Sequence, residues 1–171
     1  MNCTQNKMSR LFDGKIIASV AVLAFLVVAC QGDALYKDHR DIADGLWYTK
    51  ITPTFEFEIK DSTQQYDVYY LIRNSVAYPY YNLFLKRRLY NGATGKEIAA
   101  KLDELVLMDE RTGKPKGDGL GDIFDHRILA MKAYKFPKSG TYKLKIEQFM
   151  RQNPLPDVLS VGISIEPTPK L

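Results

Sequence analysis

The stretch Thr54-Phe55-Glu56-Phe57-Glu58-Ile59 alternates apolar and polar side chains. In an extended chain, successive side chains point to opposite faces. Phe55, Phe57 and Ile59 therefore share one face and the glutamates the other, the pattern of a half-buried strand. The same alternation recurs downstream. Tyr66 to Arg73 is rich in Tyr, Val and Ile. Asn82 to Tyr90 sets Leu83, Leu85 and Arg87 against Phe84, Lys86 and Arg88. In Tyr142–Met150, Tyr142, Leu144, Ile146 and Gln148 oppose Lys143, Lys145 and Glu147. Asp125–Met131 and Leu159–Glu166 are further strands, the latter with Val161, Ile163 and Ile165 on one face. In the segment 97–108, Ile98, Leu102 and Leu105 have helical spacing, but Glu104 to Met108 also suits a strand of the continuous apolar type. A strand is expected over 103–108, and 96–101 stays open between helix and strand. Asp61-Ser62-Thr63, Asn91-Gly92 and Ser139-Gly140 are turn signals. Arg111 to Gly121 holds four glycines and a proline, which reads as a long loop. Seven or eight strands joined by turns, with no convincing helix between them, predict an all-β fold. The expected form is an antiparallel β-sandwich of jelly-roll type over residues 45–171.

Composition agrees. The chain has 171 residues, 46% hydrophobic and 26% charged. That excludes a disordered chain and disfavours a two-domain enzyme or a large α/β barrel. Tyr supplies 11 of the aromatic side chains, against 8 Phe and 1 Trp, and Tyr favours strands. The formal net charge is +4. About half of it sits in the first 29 residues, where Lys7, Arg10 and Lys15 face Asp13. The rest is too balanced for a nucleic-acid-binding surface, so no nucleic-acid partner is expected.

The amino terminus predicts a location. Residues 16–29 are uncharged and mostly apolar, too short for a spanning helix of about 20 residues but the length of a signal-peptide core behind a basic segment. Val27-Val28-Ala29-Cys30 then has the form of a lipobox. A small residue fits the lipoprotein signal peptidase, and the thiol accepts the lipid. Residues 1–29 are thus expected to be a lipoprotein signal peptide, begun at Met1 or Met8, and Cys30 the lipidation site. With two or three acyl chains of the palmitate type on Cys30, anchoring to the membrane is firm. Residues 30–44, largely polar, read as the lipidated tether. Cys3 is lost on processing, so no disulfide is expected. Gln31 replaces the Asp that favours inner-membrane retention, and only Asp33 is acidic nearby. The expected location is the periplasmic face of an outer membrane, with cell-surface display left open.

Material for catalysis is sparse. His39 and His126 are the only histidines, and neither has a partner at metal-ligand spacing, so no metal is expected. Asp118-Gly119-Leu120-Gly121-Asp122 lacks the further oxygen ligands of a calcium loop and reads as a turn. There is no nucleophile elbow, phosphate loop or dinucleotide fingerprint. The expectation is a non-enzyme without cofactor. One segment stands out: residues 66–83 hold six tyrosines, Arg73, Asn74 and Asn82. Tyr66, Tyr69, Arg73, Asn74, Tyr78, Tyr80 and Asn82 form either a partner-binding patch or a structural clamp. In the clamp, Arg73 binds carbonyls of the 74–81 loop or a nearby carboxylate, and Asn82 closes the loop. An exposed platform of Tyr66, Tyr69, Tyr78 and Tyr80 would instead suit a glycan.

These residues carry a resemblance. Cys30, Tyr36–Ile42 before Trp47, Phe55–Asp61, Tyr66, Leu71-Ile72-Arg73-Asn74 and Tyr78-Pro79-Tyr80-Tyr81-Asn82-Leu83-Phe84 match a family pattern. So do Gly140-Thr141-Tyr142, Gln148-Phe149-Met150-Arg151, Pro154-Leu155 and Val161-Gly162-Ile163. With these the chain resembles the gliding-motility lipoprotein GldH family of Bacteroidota over nearly all of its mature length. The resemblance implies an outer-membrane lipoprotein with an assembly or stability role in the gliding apparatus, tied to type nine secretion. It implies other envelope lipoproteins or outer-membrane proteins as partners and no active site. The chain departs from the family after Asp109. The family tends to carry a Trp near Gly113, and Lys114-Pro115-Lys116 stands here.

Overall fold

A computed structural model describes residues 34–169. The expected signal peptide and Cys30 lie outside the described residues. The strands are β1 (Tyr36–Asp41), β2 (Thr54–Ile59), β3 (Tyr66–Ser75), β4 (Asn82–Asn91) and β5 (Glu97–Val106). They continue with β6 (Asp118–Leu120), β7 (Ile123–Tyr134), β8 (Gly140–Gln148) and β9 (Val158–Pro167). One sheet has the order β1-β9-β3-β7-β6 and the other β2-β8-β4-β5. Every pairing is antiparallel. Without β6, four strands face four in the interleaved order of a jelly roll. The all-β sandwich expected from the alternation is the observed fold.

The alternation also sets the faces. Phe55, Phe57 and Ile59 are buried, and Glu56 and Glu58 are exposed. Tyr142, Leu144, Ile146 and Gln148 of β8 are buried in the same way. One end of the core is aromatic: Phe136 meets Phe57, Tyr66, Tyr134 and Tyr142 edge-on or tilted. At the other end Trp47 is fully buried, and its indole donates to the Ile51 carbonyl at 2.8 Å.

Three elements differ from expectation. First, the tether expected over 30–44 is cut short. Tyr36–Asp41 is an edge strand paired with β9, and the folded unit begins at Ala34 rather than at residue 45. Tyr36 and Asp38 are half-buried, and Asp38 accepts from Tyr36 and from the exposed Arg40, whose guanidinium lies over the Phe55 ring. An edge strand this charged has no apolar stripe to read. Second, residues 97–106 form one strand, settling the open segment. Its central residues are mostly exposed because β5 is an edge. Third, the glycine-rich stretch contains β6, hairpinned onto β7. Gly119 lies flat on the Phe124 ring, where any Cβ would collide.

Between the edges of β5 and β7 the sandwich opens into a cavity of about 430 Å³, with Leu89, Met131 and Leu144 inside and Lys101 and Lys132 at its rim. Beside it, the Asp103 carboxylate accepts from Tyr70 at 2.8 Å and from Arg87 at 2.6 Å, and it meets the Lys101 ammonium at 3.1 Å.

Candidate interaction surface

The seven residues singled out in the Tyr-rich segment separate into three groups. Tyr66 belongs to the aromatic end of the core and donates to the Asp61 carbonyl at 2.8 Å. Asn74, Tyr78 and Asn82 are buried around the loop after β3. Tyr69 and Arg73 lie on the outer face of the first sheet, and Tyr80 lies at the loop end.

The loop is fastened from inside. The Tyr78 hydroxyl donates to the Asn82 carbonyl at 2.9 Å, and burial pushes its pKa up. The Ser75 hydroxyl donates to Asp157 at 2.7 Å, and Val76 N–H to the Asp122 carbonyl at 2.7 Å. The Asn82 amide donates to Glu104 at 2.6 Å. Tyr80 packs edge-on against Tyr78 and donates to Gln152 at 2.7 Å. Gln148 in turn donates to the Gln152 carbonyl, which ties the 149–157 loop to the same end. Asn74 donates to the Ser75 carbonyl, while its buried Oδ1 has no partner among the described residues. Asn82 thus holds the loop through both its carbonyl and its side-chain amide, and Arg73 reaches a carboxylate on the neighbouring strand, Asp125, rather than the loop carbonyls. Tyr48, Val76 and Tyr81 remain exposed on the same loop end.

Arg73 points outward and forks onto Asp125 of β7, with nitrogen–oxygen distances of 2.8 and 2.9 Å. Those hydrogen bonds hold the Asp125 carboxyl below its ordinary pKa. One pair further along the same face, the Arg127 guanidinium stacks on Tyr69 at 3.4 Å and donates to Glu166 at 2.7 Å. Leu129, directly across from Tyr69, is exposed. The result is a flat, ordered Arg–Tyr face bordered by an aliphatic side chain, the composition of protein interface anchors. Asp125 and Arg127 of β7 and Glu166 of β9 were missed in the sequence because they sit on other strands than Tyr69 and Arg73 of β3, and only the register brings them together. The alternative of an exposed tyrosine platform for a glycan is not formed: Tyr66 and Tyr78 are in the core, Arg127 covers Tyr69, and Tyr80 is half-buried.

His126 points inward from β7, and the backbone of Gly117 lies against its ring. Burial pushes its pKa down against the pull of Asp125 and Asp118. It is a core histidine whose burial favours the neutral form. Among the described residues no group of His, Cys, Asp or Glu could hold a metal ion.

Fold and site together define a jelly-roll β-sandwich whose ordered polar groups lie on a flat sheet face and at a loop end. The profile of a family described as GldH lipoprotein matches residues 34–165, and the chain belongs to that family. A gliding motility lipoprotein GldH homolog of Christiangramia forsetii is 31% identical over 158 residues, covering 86% of this chain and 94% of the relative. The gliding motility lipoprotein GldH of Flavobacterium johnsoniae is 26% identical over 167 residues, covering 92% and 98%. Among solved structures, the VP2 subviral particle of infectious bursal disease virus overlays with a TM-score of 0.33 at 14% identity, covering 77% of this chain. Dimeric latent PorU of Porphyromonas gingivalis overlays with a TM-score of 0.33 at 10% identity, covering 81% of this chain. This chain spans only 29% and 14% of those two proteins.

Proposed function

We propose that this chain is a non-catalytic lipoprotein, anchored by acyl chains on Cys30 to the periplasmic face of an outer membrane. It supports the assembly or stability of an envelope machinery, the gliding-motility apparatus coupled to type nine secretion, by holding a protein partner. The observation that carries this is the family match over residues 34–165, with relatives named as gliding motility lipoproteins along almost their full lengths. The lipobox at Cys30 supplies the anchor. The Tyr69–Arg127 and Arg73–Asp125 face, and the loop end with Tyr48, Val76 and Tyr81, supply surfaces suited to a protein.

Crosslinking the intact lipoprotein in its own cells and identifying what co-purifies tests this reading. An envelope protein enriched over a Cys30→Ala control supports it. No enrichment over that control refutes it.

A further inference from the structure

We propose that the end of the sandwich at which the chain enters rests on an anionic lipid surface through a ring of lysines. This deepens the anchored-lipoprotein reading and rests on it. The strand register fixes which loops share that end. Tyr36 pairs with Ile165, Tyr66 with Pro167 and Tyr134, Ile59 with Gly140, and Asn91 with Tyr142. The 60–65, 92–96 and 135–139 loops therefore gather around the start of β1, and the chain arrives there at Ala34, four residues after Cys30.

These loops carry Lys60, Lys96, Lys135 and Lys138, all exposed. None of them enters an ion pair of 4.0 Å or less among the described residues. Of the acidic groups close by, Glu58 near the end of β2 is exposed, Asp67 accepts from the Ala133 amide and the Thr168 hydroxyl, and two more are occupied. Asp61 Oδ1 accepts from the Thr63 amide and hydroxyl, and Glu97 pairs with Arg88 at 3.0 Å. Lys96 and Lys138 border one hollow of about 520 Å³. Lys132 and Lys135 border another of about 580 Å³. Long flexible ammonium side chains around open hollows suit phosphate headgroups as point charges, and each lysine near an anionic leaflet adds attraction that salt screens. The opposite end differs: Asp109, Glu110, Asp118 and Asp122 stand there among its cations. The asymmetry selects which end meets the lipid and leaves the Tyr48–Tyr81 loop end turned away from it.

The test uses the mature lipoprotein and vesicles of phosphatidylcholine with or without phosphatidylglycerol. An environment-sensitive dye is placed at Ser139→Cys or Val76→Cys, and quencher-bearing lipids report contact. The expected result is quenching at residue 139 that grows with phosphatidylglycerol and is lost in high salt. It should also be lost when Lys60, Lys96, Lys135 and Lys138 are all changed to Glu, while residue 76 stays unquenched. Quenching at 139 that ignores lipid charge or survives the four substitutions overturns the proposal. Flotation with pure phosphatidylcholine reads the anchor separately. No flotation there, with flotation on phosphatidylglycerol, refutes the anchor and supports the lysine surface. Flotation on neither refutes both.

Discussion

Tyr70 and Asp103 stand in different sheets and share a hydrogen bond of 2.8 Å across the interior of the sandwich. Burial alone would raise the Asp103 pKa. The hydrogen bonds from Tyr70 and Arg87 and the Arg87 charge outweigh burial and hold it below the ordinary carboxylate value. Arg87 and Asp103 have side chains only 12% and 13% exposed, so neither charge has water as a ready substitute for the other.

Tyr70→Phe should therefore cost about 1–2 kcal/mol, since the carboxylate loses a donor inside the protein. Asp103→Ala should cost more, about 3 kcal/mol, because it strands the Arg87 charge. Adding Arg87→Met to an Asp103→Leu variant should recover much of that loss. Urea unfolding of the set gives the answer, and an unaltered midpoint for Asp103→Ala would show that the charges are solvated.

Phe57→Asp should unfold the domain or lower its stability by several kcal/mol, because it sets a charge inside the aromatic end of the core. Glu58→Lys, one residue on, should leave melting within about 0.5 kcal/mol of wild type. Circular dichroism melts of the two distinguish the faces of β2, and equal damage would contradict the register.

Arg73→Lys should change stability little. The Arg73–Asp125 pair is about half exposed on both sides, and such pairs contribute about 0–1 kcal/mol. If the outer face holds a partner, the same substitution should reduce partner recovery, because lysine lacks the planar fork. An unchanged melt with unchanged recovery would remove Arg73 from the interface.

Stability should fall on acidification in two stages. His126 has a pKa lowered by burial, so below about 6.5 the unfolded chain takes up a proton that the folded chain refuses, and stability is lost as pH drops through that window. The lowered carboxylates Asp103, Asp125 and Glu166 contribute stability that is present above the unfolded carboxylate range and is lost as pH falls below it through their lowered folded values. His126→Gln should flatten the first stage alone. A melting profile of that variant that still declines between pH 6.5 and the carboxylate range would assign the decline elsewhere.

What the sequence disclosed follows from burial on one face. β2, β8 and β9 were legible because each packs apolar side chains onto the core at period two. β1 was not, because an edge strand that pairs on one side, half-buries Asp38 and leaves His39, Arg40 and Asp41 exposed reads as polar linker. β5 was half legible for a related reason: its middle is exposed, and only Leu105 is buried. At the candidate site the Tyr-rich segment was found, but composition alone did not separate Tyr66 and Tyr78, which are core, from Tyr69 and Arg73, which are surface. Arg127 and Glu166 lie 39 positions apart and meet only across strands.

The pairing of β1 with β9 has a mechanical meaning. A pull drawn along the chain through Ala34 enters the domain at Tyr36 and runs parallel to β1. If the restraint is at the far loop end, the rungs from Tyr36–Ile165 to Asp41–Ser160 are loaded together in shear. They would not be peeled one after another. Gly162 lets the His39 backbone and Cβ sit close against β9, where a larger residue would collide with them and with the Asp38 carbonyl. Single-molecule pulling through residue 34 and a loop-end handle should accordingly show one high-force rupture, and a Gly162→Val chain should yield gradually at low force. A load drawn through Ala34 would thus be met first by a six-residue edge strand acting as a mechanical clamp.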